Sequence, residues 1–249
     1  MRIRMDRFVS VVAVGLLALA GCAPDDPSAP PRVAGQIPDG RVAAIGNSLT
    51  AGFLNSGLVV TGQRAGYANL VARQITGRDM SMPLVDVPGL ASSVDPDTQA
   101  PRGPMYVTAT GQIAFRDLPT ANPQDLLLAS ALPVPYDNVG VPGALTADAL
   151  ETTSALNSVS PGNIFFDIVL RNSALPPGDT TQLDQLEALV ANGLPGTSLL
   201  MYWVGNNDVL GGALSGDPVV GENVTPPAIF ASLTDAALAR IDALDVPQV

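Results

Sequence analysis

The apolar pattern of this chain switches between unbroken runs and helical spacing. Residues 42–45 (Val42, Ala43, Ala44, Ile45) are apolar without polar alternation. Such a run predicts a parallel strand covered on both faces. It stops at Gly46-Asn47-Ser48-Leu49, a turn that leads into a helical pattern. A second buried strand is predicted at residues 199–204, and it ends in Gly205-Asn206-Asn207-Asp208. A third strand-to-loop transition, at residues 134–139, leads into Gly140-Val141-Pro142-Gly143 and then a helix from Thr146.

Helical spacing is clearest at residues 181–190. Thr181 with Asp184 makes a capping box, and Leu183, Leu186, Leu189 and Val190 form the stripe. A helix is also predicted over 67–75, with Tyr67, Leu70, Val71 and Ile75 on one face and Gly77 as the left-handed C-terminal residue. The last helix starts at Pro226-Pro227 and carries Ile229, Phe230, Leu233, Ala237 and Ile241 on its face. Residues 157–178 read as loop, apart from an apolar patch at Ile164, Phe165, Phe166, Ile168 and Val169.

Strands alternating with helices predict an α/β fold with a parallel sheet and right-handed crossovers. All three motif loops follow strands, so all can open on one sheet edge. Residues 80–135 are irregular, with a hairpin expected between 105–107 and 112–115. So long an insert is either a lid or substrate wall or a decorative surface loop.

The N-terminus changes the picture. Arg2, Arg4 and Arg7 precede an apolar stretch at 8–20 that is short for a membrane span. Leu19-Ala20-Gly21-Cys22 follows and resembles a bacterial lipobox, in which Cys22 would become the lipid-bearing first residue. The alternative is an ordinary signal peptide that contains a cysteine. Cys22 is the only cysteine, so no internal disulfide can form. Residues 1–21 are therefore expected to be a lipoprotein signal peptide, 22–40 a flexible tether, and 41–249 one domain. Ala23, not an aspartate, follows Cys22, which by the same resemblance favours the outer membrane of a Gram-negative host. The net charge of −11 disfavours nucleic acid and anionic membrane surfaces as partners. A monomer held to the membrane by its lipid anchor is expected.

The motif loops carry the candidate chemistry. A Gly-x-Ser turn after a buried strand lifts a hydroxyl to the sheet edge. Taken in order, Gly46-Asn47-Ser48-Leu49-Thr50-Ala51-Gly52, Asn138-Val139-Gly140-Val141-Pro142-Gly143 and Gly205-Asn206-Asn207-Asp208 resemble three of the four blocks of the SGNH (GDSL-type) hydrolase superfamily. Asn47 stands where that family name has aspartate. The resemblance spans roughly residues 41–245 and implies a flavodoxin-like three-layer α/β/α fold with a parallel sheet. It implies Ser48 as nucleophile toward an ester, with the Ser48 N–H, the Gly143 N–H and the Asn207 amide around the oxyanion. Donors fixed before reaction stabilise the developing charge without reorganising. Lipids and acylated sugars are the implied ester substrates, and no cofactor is implied.

The fourth block, Asp-x-x-His, is not matched. The chain has no histidine, and every basic residue is an arginine. A serine nucleophile needs a proton acceptor. By resemblance, the sequence is the N-terminal part of a longer esterase, close to inactive by itself, with the family's last strands and its base beyond Val249. Two alternatives stay open: a non-catalytic binding lipoprotein on the same fold, and an acyltransferase acting on envelope sugars. With no histidine, and Cys22 assigned to lipid, no soft metal-ligand set exists.

Overall fold

The computed structural model describes residues 40–128, 135–160, 162–171, 179–191 and 196–246. The expected export signal, Cys22 and the expected tether up to residue 39 lie outside the described residues. Among the described residues, no helix is long and apolar enough to cross a membrane.

The fold is mixed α/β around a parallel two-stranded sheet. Strand β1 (Arg41–Gly46) pairs in parallel with a later strand, Thr197–Trp203, with Ala43 opposite Leu200 and Ile45 opposite Tyr202. The unbroken apolar run of β1 is explained by burial on both faces. Ala43 and Ile45 enter a large apolar cluster that also holds Leu183, Leu186 and Leu189. Val42 and Ala44 enter a smaller one with Ala68, Ala72 and Met201.

Helix α1 (Ser48–Ala51) follows β1 and ends at Gly52 in the left-handed conformation. Strand β2 (Gly57–Leu58) and helix α2 (Val60–Ala65) lead to helix α3 (Tyr67–Thr76), which ends on left-handed Gly77 as expected. The buried face of α3 only partly matches the predicted one. Ala68, Asn69, Ala72 and Thr76 are buried, while Tyr67 and Leu70 are exposed. Small side chains let the helix lie close to β1, and of the predicted face Val71 and Ile75 are half-buried against the same cluster while Tyr67 and Leu70 turn outward.

In the insert, strand β3 (Leu90–Ala91) pairs antiparallel with β2. Strands β4 (Met105–Val107) and β5 (Ile113–Phe115) form the expected hairpin, in register Met105 to Phe115 and Val107 to Ile113. Its turn is closed by Thr108 N–H donating to Gln112 C=O at 2.8 Å.

The strand expected at 134–139 is reduced to one parallel bridge, Ala44 to Asn138. Residue 134 lies outside the described residues. The chain still lies alongside β1: Ala44 N–H donates to Asp137 C=O at 2.7 Å, Val139 N–H to Ala44 C=O at 2.9 Å, and Val141 N–H to Gly46 C=O at 3.0 Å.

Helix α4 (Thr146–Glu151) starts where the sequence places it. The apolar patch read as loop is helix α5 (Phe165–Val169), and Phe165, Phe166, Ile168 and Val169 are all buried in the core. Its apolar residues cannot be left in water, each contributing roughly 1.5–3 kcal/mol on burial. Helix α6 (Gln182–Ala191) has the predicted capping box: Thr181 N–H donates to Asp184 Oδ2 at 2.8 Å and Asp184 N–H to Thr181 Oγ1 at 3.2 Å. Strand β6 is the Thr197–Trp203 segment, and helix α7 (Asn207–Ser215) follows it. Helix α8 (Pro227–Asp242) buries Ala237 and Ile241, whereas Ile229, nearer its start, is exposed. Arg240 of α8 bonds Asp184 and Glu187 of α6, both at 2.6 Å.

Candidate active site

The three motif segments meet at the C-terminal ends of β1 and β6 and are hydrogen-bonded to one another. Gly46 must be a glycine. A Cβ there would lie 2.0 Å from Thr50 Oγ1 and 2.9 Å from the Trp203 carbonyl oxygen. The chain can then turn tightly out of β1, and Asn47 caps α1 by accepting from Leu49 N–H at 3.3 Å. Ser48, the first residue of α1, is half-buried, whereas Asn47 is fully buried.

The Asn47 amide donates to Asn206 Oδ1, tying the first segment to the third. The next residue, Asn207, donates from Nδ2 to the Ala144 carbonyl at 2.8 Å, tying the third segment to the second beside Gly143. An amide NH₂ has two donor hydrogens, so this bond leaves Asn207 one more. Gly143 is exposed and has φ +85°, a left-handed conformation suited to glycine. Its turn is held by Asn163, whose Nδ2 donates to the Pro142 carbonyl at 2.8 Å.

Asp208 is buried and holds the back of the site. Its Oδ2 accepts from Thr146 N–H and Thr146 Oγ1, both at 2.9 Å, and its Oδ1 accepts from Thr225 Oγ1 at 2.8 Å. Both carboxylate oxygens are therefore engaged in clamping Thr146 and Thr225, a structural role and not that of a base. Two tyrosines are no better as bases. Burial raises the Tyr67 phenol, against the opposing effect of its bond with Thr50 Oγ1 at 2.9 Å. Burial, with the Asp208 charge, pushes Tyr202 up to about 12. Both phenols stay protonated at neutral pH.

Two positioning roles escaped the sequence reading, one at a motif residue and one outside the motifs. Asn138 is buried, donates to the Thr50 carbonyl at 2.7 Å and accepts from Gly140 N–H at 2.9 Å, so it locks α1 against the second segment. Gln182 is buried and donates to the carbonyls of Gly46 at 2.8 Å and Val139 at 2.5 Å. A signal for Gln182 existed: it lies four residues before Leu186 and seven before Leu189, on the apolar stripe of α6. A polar side chain in that phase needs an internal partner.

A cavity of about 470 Å³ opens beside Gly143 and Asn207, and Ser48 is not among its lining residues. A smaller cavity of about 90 Å³ lies at the other end of β1, between Arg41, Arg78 and Asp137. Among the described residues, no group of three or more His, Cys, Asp or Glu could hold a metal ion.

The geometry places a hydroxyl, a left-handed glycine and a side-chain amide on one connected set of loops. No family model, no curated protein and no solved structure matches the chain.

Proposed function

We propose that this chain is a serine ester hydrolase of the SGNH (GDSL) type, working through an acyl-enzyme on Ser48 and held in the bacterial envelope by a lipid on Cys22. One observation carries the reading: Asn47 bonds Asn206, and Asn207 bonds the carbonyl next to Gly143, so the three blocks are tied together. Helices packed against both faces of β1 support the finer fold reading, a flavodoxin-like three-layer arrangement.

In the proposed reaction, Ser48 Oγ attacks the ester carbonyl carbon while its proton passes to a base. The carbonyl oxygen becomes an oxyanion facing the Ser48 N–H, the Gly143 N–H and the second hydrogen of Asn207 Nδ2. Collapse breaks the bond to the alcohol, which takes a proton as it leaves. Water then attacks the acyl-enzyme by the reverse sequence and restores Ser48.

The sequence has no histidine to act as base, which favours a second reading, ligand binding without turnover. One experiment separates them. Hydrolysis of p-nitrophenyl acetate is followed with and without imidazole, for the chain and for Ser48→Ala. The variant subtracts the reaction of imidazole itself. Ser48 is half-exposed, so a small external base can reach it. Without imidazole, the chain and Ser48→Ala are expected to share a residual rate, at most roughly 10³–10⁴ above the uncatalysed reaction, from donors and binding alone. With imidazole present, a Ser48-dependent rate is expected. It should rise with the concentration of neutral imidazole, and so increase with pH as imidazolium deprotonates. Equal rates for the chain and Ser48→Ala at every imidazole concentration would exclude the hydrolase and leave the binding reading.

A further inference from the structure

We propose that the cavity beside Gly143 and Asn207 binds the uncharged hydrocarbon chain of the ester. Naming the ligand an ester rests on the reading of Ser48 above, but hydrocarbon binding can be measured without turnover. The volume of about 470 Å³ falls within the size range of small-molecule sites, roughly 300–1,000 Å³. Helix α7 supplies Leu210 and Leu214, the segment after it supplies Val224 and Pro226, and Leu145 and Val159 complete the apolar lining. Leu214 is 79% exposed, Val159 54% and Leu210 41%, so apolar surface is held in water around the opening. Covering it with hydrocarbon is favourable, by about fourfold in affinity for each methylene that becomes buried.

Asp208 and Asn223 of the lining are engaged within the protein, and Asn207 keeps one donor for the ester carbonyl. Asp208 is satisfied by Thr146 and Thr225. The Asn223 side chain accepts from Val219 N–H at 2.7 Å and donates to Ser215 Oγ at 3.2 Å and to the Asp217 carbonyl at 2.9 Å. A sugar ring would find those donors and acceptors already engaged. No arginine lines the cavity, and Glu222 does. A carboxylate or phosphate on the ligand would therefore meet a like charge with no counter-ion.

The wall is built before any ligand arrives. Gly212 N–H donates to the Asn223 carbonyl at 2.9 Å and Thr225 N–H to the Asp208 carbonyl at 2.8 Å, fixing the segment against α7. Little ordering is left to oppose binding. Gly143 and Asn207 belong both to the proposed oxyanion site and to the cavity lining, so a chain attached at the carbonyl carbon can run directly into it.

Titration calorimetry of the full chain with four neutral or charged amides tests this. Octanamide is expected to bind, acetamide at the same concentration is not, and the amide of the same length ending in a carboxylate should bind at least about tenfold more weakly than octanamide. Leu210→Trp fills the cavity from α7, and Val159→Trp narrows it from an exposed position where folding is not at stake. Each should weaken octanamide by at least about tenfold, the equivalent of two lost methylenes. Tighter binding of octanamide than of N-octylacetamide assigns the cavity to the acyl side, and the reverse assigns it to the alcohol side; both support a hydrocarbon site. Equal binding of acetamide and octanamide, or no loss in either tryptophan variant, overturns it. Octanamide binding without Ser48-dependent turnover removes the hydrolase and leaves the cavity. Turnover that ignores chain length and both tryptophans does the opposite.

Discussion

Asp208→Ala is expected to destabilise the chain by about 3 kcal/mol, read as a lower urea midpoint at unchanged slope. The size follows from what is left behind. The buried carboxylate accepts from Thr146 N–H, Thr146 Oγ1 and Thr225 Oγ1. Removing it leaves buried Thr146 with two donors and no acceptor, at the start of α4. Hydrogen bonds to a charged group contribute more than neutral ones, and an unsatisfied buried donor costs more than a lost bond alone. Asp208→Asn should cost less, because one carboxamide oxygen can still accept from Thr146. A midpoint for Asp208→Ala within error of the parent would mean that Asp208 does not clamp α4 and the segment at Thr225 together.

Asn207→Ala is expected to act on rate rather than on stability. It should lower the Ser48-dependent, imidazole-assisted turnover by about 10²–10³-fold, the usual effect of removing one oxyanion donor. Its structural bond, from Nδ2 to the carbonyl of buried Ala144, is a neutral, part-buried one at the start of α7 and contributes only about 1 kcal/mol. The loss should fall on kcat and kcat/KM alike, since the donor acts on charge that exists only in the transition state. Asn206→Ala is the control. It removes the partner of Asn47 but no proposed oxyanion donor, so its effect should be smaller. Equal losses in the two variants would reduce Asn207 to a loop fastener.

Sequence pattern revealed the parts of the fold that local chemistry dictates. The β1 run could only be a strand buried on both faces, because four apolar residues in a row leave no polar face for water. The hairpin at β4 and β5 and the capping box of α6 are likewise local in origin. Misreadings came where tertiary packing decides. On α3 close approach to β1 selects Ala68 and Ala72 over Tyr67 and Leu70, while Val71 and Ile75 of the expected face keep contact with the core. Helix α5 is five residues long, too short to show a period, and its burial in the core is not local information. The segment at Asn138 has strand-like sequence but only one bridge, because its polar groups turn to hold α1 and Gly140.

The candidate site was legible at the level of its three turns and not at the level of what joins them. Ser48, Gly143 and Asn207 stand in motifs that sequence alone could pick out. The bonds from Asn47 to Asn206 and from Gln182 to Gly46 connect residues more than a hundred positions apart. Sequence spacing says nothing about such pairs, and only packing creates them.

Whether the hydroxyl of Ser48 faces the donors of the other two segments is tested most directly by an experimental structure of the chain after reaction with an alkyl fluorophosphonate. The phosphonyl group should be on Ser48 Oγ. Its free oxygen should lie within about 2.7–3.2 Å of the Gly143 backbone nitrogen and Asn207 Nδ2. A phosphonyl oxygen pointing into solvent, or a label on any other residue, would contradict the account.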